Sequence, residues 1–445
     1  MYRNFMDFLK SRSIRTRQVP LLVRGARQVG KSHIIAEYGK SEFENFVELN
    51  LELSPNLLAC FKSLDVETIC RELEALTKSK FINGKSLLFI DEIQESADAI
   101  LSLRAFKEKR PGLEVIAAGS LLEFVLDDEI IRSFPVGRVA FTWMHPMTFF
   151  EFLLALDESR LADLIKDIQV NGRKPLSSAI HNRLLTLVRE YFVVGGMPEV
   201  VEHYRESKSY LDAKRVQNRI SRGYIADFVK YGARYDHRKL STILSSVPRL
   251  IGKPLKYNAI DPTSKARDLK KPLLDLEKAG LLHLIRASSS NGVPIGSEER
   301  EGIFKVQFLD IGLMLNILGL ELGSMPIEQA LFANEGALAE QFVGQELLGN
   351  DSCESSPQLF YWQREAKGSE AEVDFVIPYK DLVIPVEVKS GATGTLKSAR
   401  LFQAEKKSPL ILRISQHELS MHDGVLSVPF YMCSELPRLL HQVLG

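Results

Sequence analysis

The 445-residue chain is 45% hydrophobic and 26% charged, a balance that excludes widespread disorder, and its length exceeds what one hydrophobic core ordinarily serves. Its 57 basic residues are matched by 57 acidic ones, so no global field would hold it on nucleic acid or an anionic membrane, and any polyanion contact must come from a local patch. Met1–Phe8 lacks a signal peptide's apolar stretch, no later run reaches membrane-spanning length, and Cys60, Cys70, Cys353 and Cys433 lack metal-site spacing; the expectation is a cytoplasmic protein with reduced thiols and no membrane partner.

Short apolar runs alternate with helical patterns through the first third: Leu21–Val23, Phe46–Leu49, Leu87–Ile90, Val115–Ala118 and Val139–Trp143. That rhythm predicts an α/β unit, a parallel sheet covered by helices on both faces, with ligands at the carboxyl ends of the strands. After the first strand stands Gly25-Ala26-Arg27-Gln28-Val29-Gly30-Lys31-Ser32, the GxxxxGK[ST] spacing of a P-loop. Gly25 and Gly30 let backbone amides curl around phosphate oxygens, Lys31 neutralises the terminal phosphates, and the Ser32 hydroxyl meets magnesium. ATP and Mg²⁺ are therefore the expected cofactors.

The run Leu87–Ile90 ends in Asp91-Glu92, a buried strand with two carboxylates at its tip. Asp91 is expected to hold magnesium through water and Glu92 to polarise the attacking water, a pairing that favours hydrolysis over binding alone. The next strand ends in Gly119-Ser120, where Ser120 is the candidate to meet the γ-phosphate or the attacking water. With Leu121-Leu122-Glu123 following, Ser120 also reads as a helix cap.

From about 149 to 235 the pattern is helical, broken by turns at Asn171-Gly172 and Gly195-Gly196-Met197-Pro198, and predicts a helical lid. From 236 helices precede Leu281–Ile285, a loop rich in Ser and Gly, and Phe304–Leu309, which together suggest a winged helix. Lys253, Lys256, Lys265, Arg267, Lys270 and Lys271 face only Asp261 and Asp268 in that stretch. They form the local candidate for phosphate contact with DNA, against a solvated helix face or a protein-docking surface. Ser264–Gly280 would be the recognition helix, with Pro272 a point where it can kink.

After a weak boundary at 320–326, a helix over Gly336–Leu348 precedes strands at Leu359–Gln363, Glu372–Ile377 and Leu382–Val388. Asp374 followed by Glu387-Val388-Lys389 has the D…ExK arrangement. Strand alternation points Glu387 and Lys389 to one face, where Asp374 can complete a magnesium site and Lys389 can orient or activate the water that attacks a phosphodiester. An isolated ExK equally fits a hairpin with charged exposed positions. The arrangement resembles the PD-(D/E)xK nuclease superfamily, and that resemblance gives Glu340 the role of a further carboxylate metal ligand.

A wider resemblance rests on the P-loop, on Asp91-Glu92-Ile93-Gln94 and on Gly119-Ser120. It also rests on Val136-Gly137-Arg138, Pro146-Met147-Thr148-Phe149-Phe150-Glu151-Phe152 and Gly195-Gly196-Met197-Pro198-Glu199. Together these resemble prokaryotic AAA+ ATPases of the archaeal-ATPase-like group, in particular those with a C-terminal domain of unknown function. The resemblance covers nearly the whole chain and implies four parts: a P-loop AAA+ core over 1–148, a helical lid over 149–235, a winged helix over 236–325, and a restriction-endonuclease-like α/β domain over 326–445. It further implies that Arg138 is an arginine finger reaching the γ-phosphate of a neighbouring copy, and hence a homo-oligomer. Arg132 is a rival for that role, and a structural ion pair is the other reading of Arg138.

Three functions follow as expectations. The first is an ATPase coupling nucleotide hydrolysis to a DNA-directed, metal-dependent nuclease domain. The second is an ATP-dependent DNA- or protein-binding switch with a catalytically inactive nuclease-like fold. The third is a remodeller of protein partners.

Overall fold

The computed structural model describes residues 1–13, 19–120, 137–170, 172, 176–230, 236–319, 335–365, 371–391 and 394–445. Arg132, Val136, the Leu121-Leu122-Glu123 cap partner, Asn171 and the boundary expected at 320–326 lie outside them. The chain divides into two compact units: residues 1–145 with 278–280 and 351–357, and residues 146–277, 281–350 and 358–445.

The first unit is built on a five-stranded parallel sheet. Its strands are β1 (Leu21–Arg24), β2 (Asn45–Asn50), β3 (Ser86–Asp91), β4 (Glu114–Ala118) and β5 (Ala140–Trp143), in the order β2-β3-β4-β1-β5. Every residue of β3 and β4 is buried, as a continuous apolar run predicts for strands covered on both faces. The helices between strands begin where the sequence places acceptors. Asp65 takes the Thr68 N–H at 3.0 Å to start the helix Val66–Thr77, and Ser96 takes the Ala99 N–H at 3.1 Å to start Ala97–Lys109. Register does the rest: Val23 lies opposite Ala118 and Ile90 opposite Ala117, so β1, β3 and β4 end side by side.

One polar group is costly in this core. Glu114 opens β4 at 8% exposure, with the Arg12 guanidinium 4.0 Å away. Burial pushes its pKa up to about 7, a shift that Arg12 opposes. The native state thus binds a proton more tightly than the unfolded chain, and the stability it carries is present below the unfolded value of 4.5 and lost as pH rises through about 7. Glu114→Gln is expected to flatten that part of the pH–stability curve, by on the order of 3 kcal/mol between pH 4.5 and 7. Thermal unfolding of both proteins across this window measures it, and parallel curves would sink the claim.

The second unit corrects the domain boundaries expected from the sequence. The hairpin β6 (Leu282–Ser288) and β7 (Glu299–Phe308), read as the wing of a winged helix, is not a free wing. It is the edge of an eight-stranded sheet with β8 (Leu359–Gln363), β9 (Glu372–Tyr379), β10 (Leu382–Val388), β11 (Ile411–Ser415), β12 (Ser420–His422) and β13 (Val425–Pro429). The order is β12-β13-β11-β10-β9-β8-β6-β7. β6 pairs in parallel with β8, Ile285 opposite Leu359 and Ala287 opposite Tyr361, so the segments expected at 236–325 and 326–445 share one sheet. The expected recognition helix spans Ala266–Lys278 and runs through Pro272.

The helices expected as a lid also share a core with later segments, Tyr191 meeting Phe342 edge-on at 5.8 Å and Phe192 meeting Phe430 at 6.5 Å. Thr148 and Glu151 close a capping box at the start of the helix Phe149–Ala155, which accounts for the polar residues within Met147-Thr148-Phe149-Phe150-Glu151. The Gly195-Gly196 turn is demanded by Asp310. That buried carboxylate accepts the Gly196 N–H at 2.6 Å, the Leu313 N–H at 2.9 Å and the Gln345 side-chain amide at 3.2 Å. A Cβ on Gly195 would lie 2.2 Å from Asp310 Oδ1, and one on Gly196 2.1 Å from the Met147 carbonyl oxygen.

Candidate functional site

The P-loop joins β1 to the helix Lys31–Glu42, whose N-cap is Gly30 at φ +96°. Gly25 has φ +138°, and a Cβ there would lie 2.2 Å from the Met144 carbonyl oxygen, so the turn closes only with glycine. Lys31 is buried, and its ammonium donates to the carbonyls of Gly25 and Ala26, both at 2.8 Å. The positive charge is thereby held across the loop, beside the amides at the helix N-terminus, an arrangement that favours an anion.

Asp91 and Glu92 leave β3 next to this loop. Asp91 is 5% exposed and accepts from the Asn50 amide at 3.4 Å and the Glu92 N–H at 3.1 Å. Burial pushes its pKa above the usual carboxylate range, and a hydrogen bond from the Ser32 hydroxyl pulls it back. Ser32 and Asp91 are therefore in contact, as a shared magnesium ion would require. Glu92 sits at φ +51°, an uncommon conformation for a side-chain-bearing residue that turns its carboxylate away from the strand direction. Its Oε2 accepts from the Gln94 amide at 2.5 Å and from the Ser120 hydroxyl at 3.4 Å. The cradle that only glycine can line, the held ammonium and the Ser32–Asp91 pair fit a nucleotide triphosphate with its magnesium.

Arg138 stands in the turn before β5, half exposed, with Nε 3.4 Å from Glu108 Oε1. Within this chain it makes the strand-edge ion pair that was the alternative to a finger. Lys253, Lys256, Lys265, Arg267, Lys270 and Lys271 are all exposed.

In the second unit the C-terminal candidates do come together, around a residue absent from the expectation. Lys305 on β7 is fully buried, and its Nζ lies 3.6 Å from Glu340 Oε2, in closer ion-pair contact with Glu372, and 5.1 Å from the centre of the Tyr361 ring. Burial disfavours the Lys305 charge, but Glu340, Asp374 and Glu372 outweigh it and raise its pKa above the usual lysine range. Asp374 Oδ2 accepts the Val388 N–H at 2.7 Å, and Lys389 donates to Glu387 Oε1 at 2.6 Å. Burial and then the Asp374 charge push Glu340 up to about 8 and Glu387 up to about 7.

This set does not fit the expected divalent ion. Glu387 Oε2 is buried without a hydrogen-bond partner among the described residues, an acceptor that a metal or a proton would satisfy. Yet an ammonium stands among the carboxylates, and no three His, Cys, Asp or Glu side chains among the described residues are grouped so as to hold a metal ion. In place of the metal set of Glu340, Asp374 and Glu387 stand two ion-pair groups: Lys305 with Glu340 and Glu372, and Lys389 with Glu387, while Asp374 adds its charge near Lys305.

Sequence reasoning missed Gln94 as the residue that orients Glu92, although Asp91-Glu92-Ile93-Gln94 stood in view. It missed Lys305 and Glu372 as well. The alternation of β7, Phe304, Val306 and Phe308 on one face and Lys305 and Gln307 on the other, reads as a lysine facing solvent, and only tertiary packing buries it.

Residues 17–153 match the family model of an AAA domain, residues 185–323 a domain of unknown function (DUF8612), and residues 335–432 a second domain of unknown function (DUF4143). The first match spans the P-loop, the Asp91-Glu92 tip, Ser120 and Arg138, and the N-terminal part of the chain is an AAA-type ATPase domain. The other two assign no activity. No curated protein matches the sequence.

Among solved structures, the chain is similar to the Walker-type ATPase PABY2304 of Pyrococcus abyssi at 14% identity, over 71% of this chain and 95% of that one, with a TM-score of 0.45. It is similar to the Aeropyrum pernix ORC1 protein in complex with DNA at 13% identity, over 71% and 91%, with a TM-score of 0.28. A third is the Thermotoga maritima RuvB Holliday junction branch migration motor, at 17% identity over 62% and 86%, with a TM-score of 0.28. At these TM-scores the likenesses carry no argument about function. Among the described residues no helix is long and apolar enough to cross a membrane.

Proposed function

We propose that this protein hydrolyses ATP at the P-loop and uses the nucleotide state to control a DNA-directed C-terminal module that binds without cutting. The observation that carries the first half is the meeting of Lys31, Ser32, Asp91 and Glu92 at the ends of β1 and β3, with Glu92 held by Gln94 and Ser120. ATP with Mg²⁺ supplies the γ-phosphoryl group and part of the charge neutralisation. Lys31 holds positive charge over the phosphate turn, Asp91 and Ser32 present the oxygens for the metal, and Glu92 takes the proton of the attacking water while Gln94 and Ser120 fix its carboxylate.

Binding rather than cutting is favoured by the Lys305 ammonium among the carboxylates, because phosphodiester hydrolysis by this kind of group needs a metal to stabilise developing charge. The nuclease reading keeps one observation of its own, the Glu387–Lys389 pair with its unpartnered Oε2. DNA contact is proposed for the exposed basic residues around the helix Ala266–Lys278. Arg138 is proposed to leave Glu108 for a neighbouring copy's nucleotide in a homo-oligomer; its half-exposed position before β5 supports this.

The test measures ATP turnover and strand cleavage in one sample with Mg²⁺ or Mn²⁺, at several protein concentrations, with and without single- and double-stranded DNA. Turnover per subunit should rise with concentration and with DNA, and strands should stay intact. Replacing Lys265, Arg267, Lys270 and Lys271 by alanine should weaken DNA binding and flatten its salt dependence by roughly 0.9 in log–log slope for each phosphate no longer neutralised. Metal-dependent cleavage would restore the nuclease reading. Turnover indifferent to DNA, with no DNA binding, would leave a protein remodeller.

A further inference from the structure

Lys305 is a lysine with no exposed surface in a sheet that has solvent on offer at its edge, and such a residue persists only where its charge is matched. The match is supplied from three elements. Glu340 comes from the helix Glu335–Gly349, Glu372 and Asp374 come from β9, and the Tyr361 ring on β8 presents its face.

We propose that the Lys305 ammonium is the built-in counter-cation of Glu340 and Glu372 in the C-terminal carboxylate group: its fixed charge keeps a divalent ion from the carboxylates beside it, and loss of Lys305 relieves that repulsion. A divalent ion bound by Glu340 and Asp374 would face a fixed positive charge at ion-pair distance, and like charges at that range in a buried site repel strongly. Lys389 closes the other approach by holding Glu387 Oε1 at 2.6 Å. The pairing of β6 with β7 and with β8 fixes the Lys305 backbone beside β8 and β9, and its side chain lies fully buried on that face. This role of Lys305 does not depend on nucleotide turnover, and its test contains no ATP.

Mn²⁺ binding to the full-length protein is followed by the electron paramagnetic resonance signal of the free ion, for wild type, Asp374→Asn, Lys305→Met and the double variant. Wild type and Asp374→Asn should titrate identically. Lys305→Met, which keeps an unbranched chain one atom shorter and removes the charge, should gain one site about tenfold tighter or more than any in wild type, and the double variant should lose it. Wild-type binding that Asp374→Asn removes would overturn the proposal, as would a folded Lys305→Met with no added site. Should Lys305→Met fail to fold, Lys305→Gln takes its place with the same two outcomes, and a site in wild type that Asp374→Asn removes refutes the proposal by itself.

Discussion

Lys31→Ala is expected to abolish measurable ATP binding and lower turnover by roughly 10²–10³-fold, the scale for removing one preorganised group that stabilises developing charge. Glu92→Gln should leave ATP binding nearly unchanged and lower turnover by roughly 10²–10⁴-fold, the scale for a general base. The contrast follows from position. The Lys31 ammonium lies across the glycine turn, 2.8 Å from two loop carbonyls, and in the proposed mechanism it acts on bound ground-state phosphate. Glu92 stands at the tip of β3, held by Gln94 and Ser120, and in the proposed mechanism its role is on the water rather than on bound phosphate. The amide of Glu92→Gln keeps the shape and hydrogen bonding but cannot take a proton. Equilibrium binding of a fluorescent ATP analogue and steady-state phosphate release separate the two variants. Unchanged turnover in both would remove the site assignment.

Asp310→Ala should cost the second unit about 3–5 kcal/mol, the scale for leaving several buried donors unsatisfied beside a new cavity. The carboxylate is fully buried and takes three donors: the N–H of Gly196, the N–H of Leu313 and the amide of Gln345. Alanine leaves all three donors unsatisfied and opens a cavity between the helices Ser178–Val194, Ile311–Ile317 and Glu335–Gly349. Asp310→Asn keeps the volume but turns an NH₂ toward a donor, so it should lose part of that stability, about 1–3 kcal/mol. Trp362 is buried in the eight-stranded sheet, so its fluorescence in a Trp143→Phe background follows this unit through denaturant unfolding. A loss below about 1 kcal/mol in Asp310→Ala would mean the three hydrogen bonds contribute little net stability.

Much of the first unit was legible because its signals are local. The five apolar runs coincide with its five strands apart from Val139, which lies just ahead of β5; the inner strands β1, β3 and β4 are almost wholly buried and read as apolar segments, while the edge strands β2 and β5 are half-buried. The grouping of Gly25, Gly30, Lys31, Ser32, Asp91 and Glu92 was legible because the glycine turn is one contiguous stretch and the carboxylates end or follow a single strand. Their assembly needed only the parallel register of adjacent strands, which alternation of strand and helix implies.

The second unit was decided by pairings between distant segments. β6 and β7 are a hairpin by sequence, but nothing local states that β6 will pair in parallel with β8 across more than 70 residues. That pairing merges two expected domains into one sheet and carries Lys305 into the carboxylate group. The Gly195-Gly196 turn is likewise visible as glycines, while its reason, the Asp310 carboxylate 114 residues later, is not. The sequence by itself determined the P-loop spacing, the apolar runs of the inner strands and the i, i+2 spacing of Glu387 on β10 and Lys389 just after it, because those depend on spacing and alternation. Only the tertiary structure decided what stands among the C-terminal carboxylates, because the charge that neutralises a buried group is set by whichever strand lies beside it.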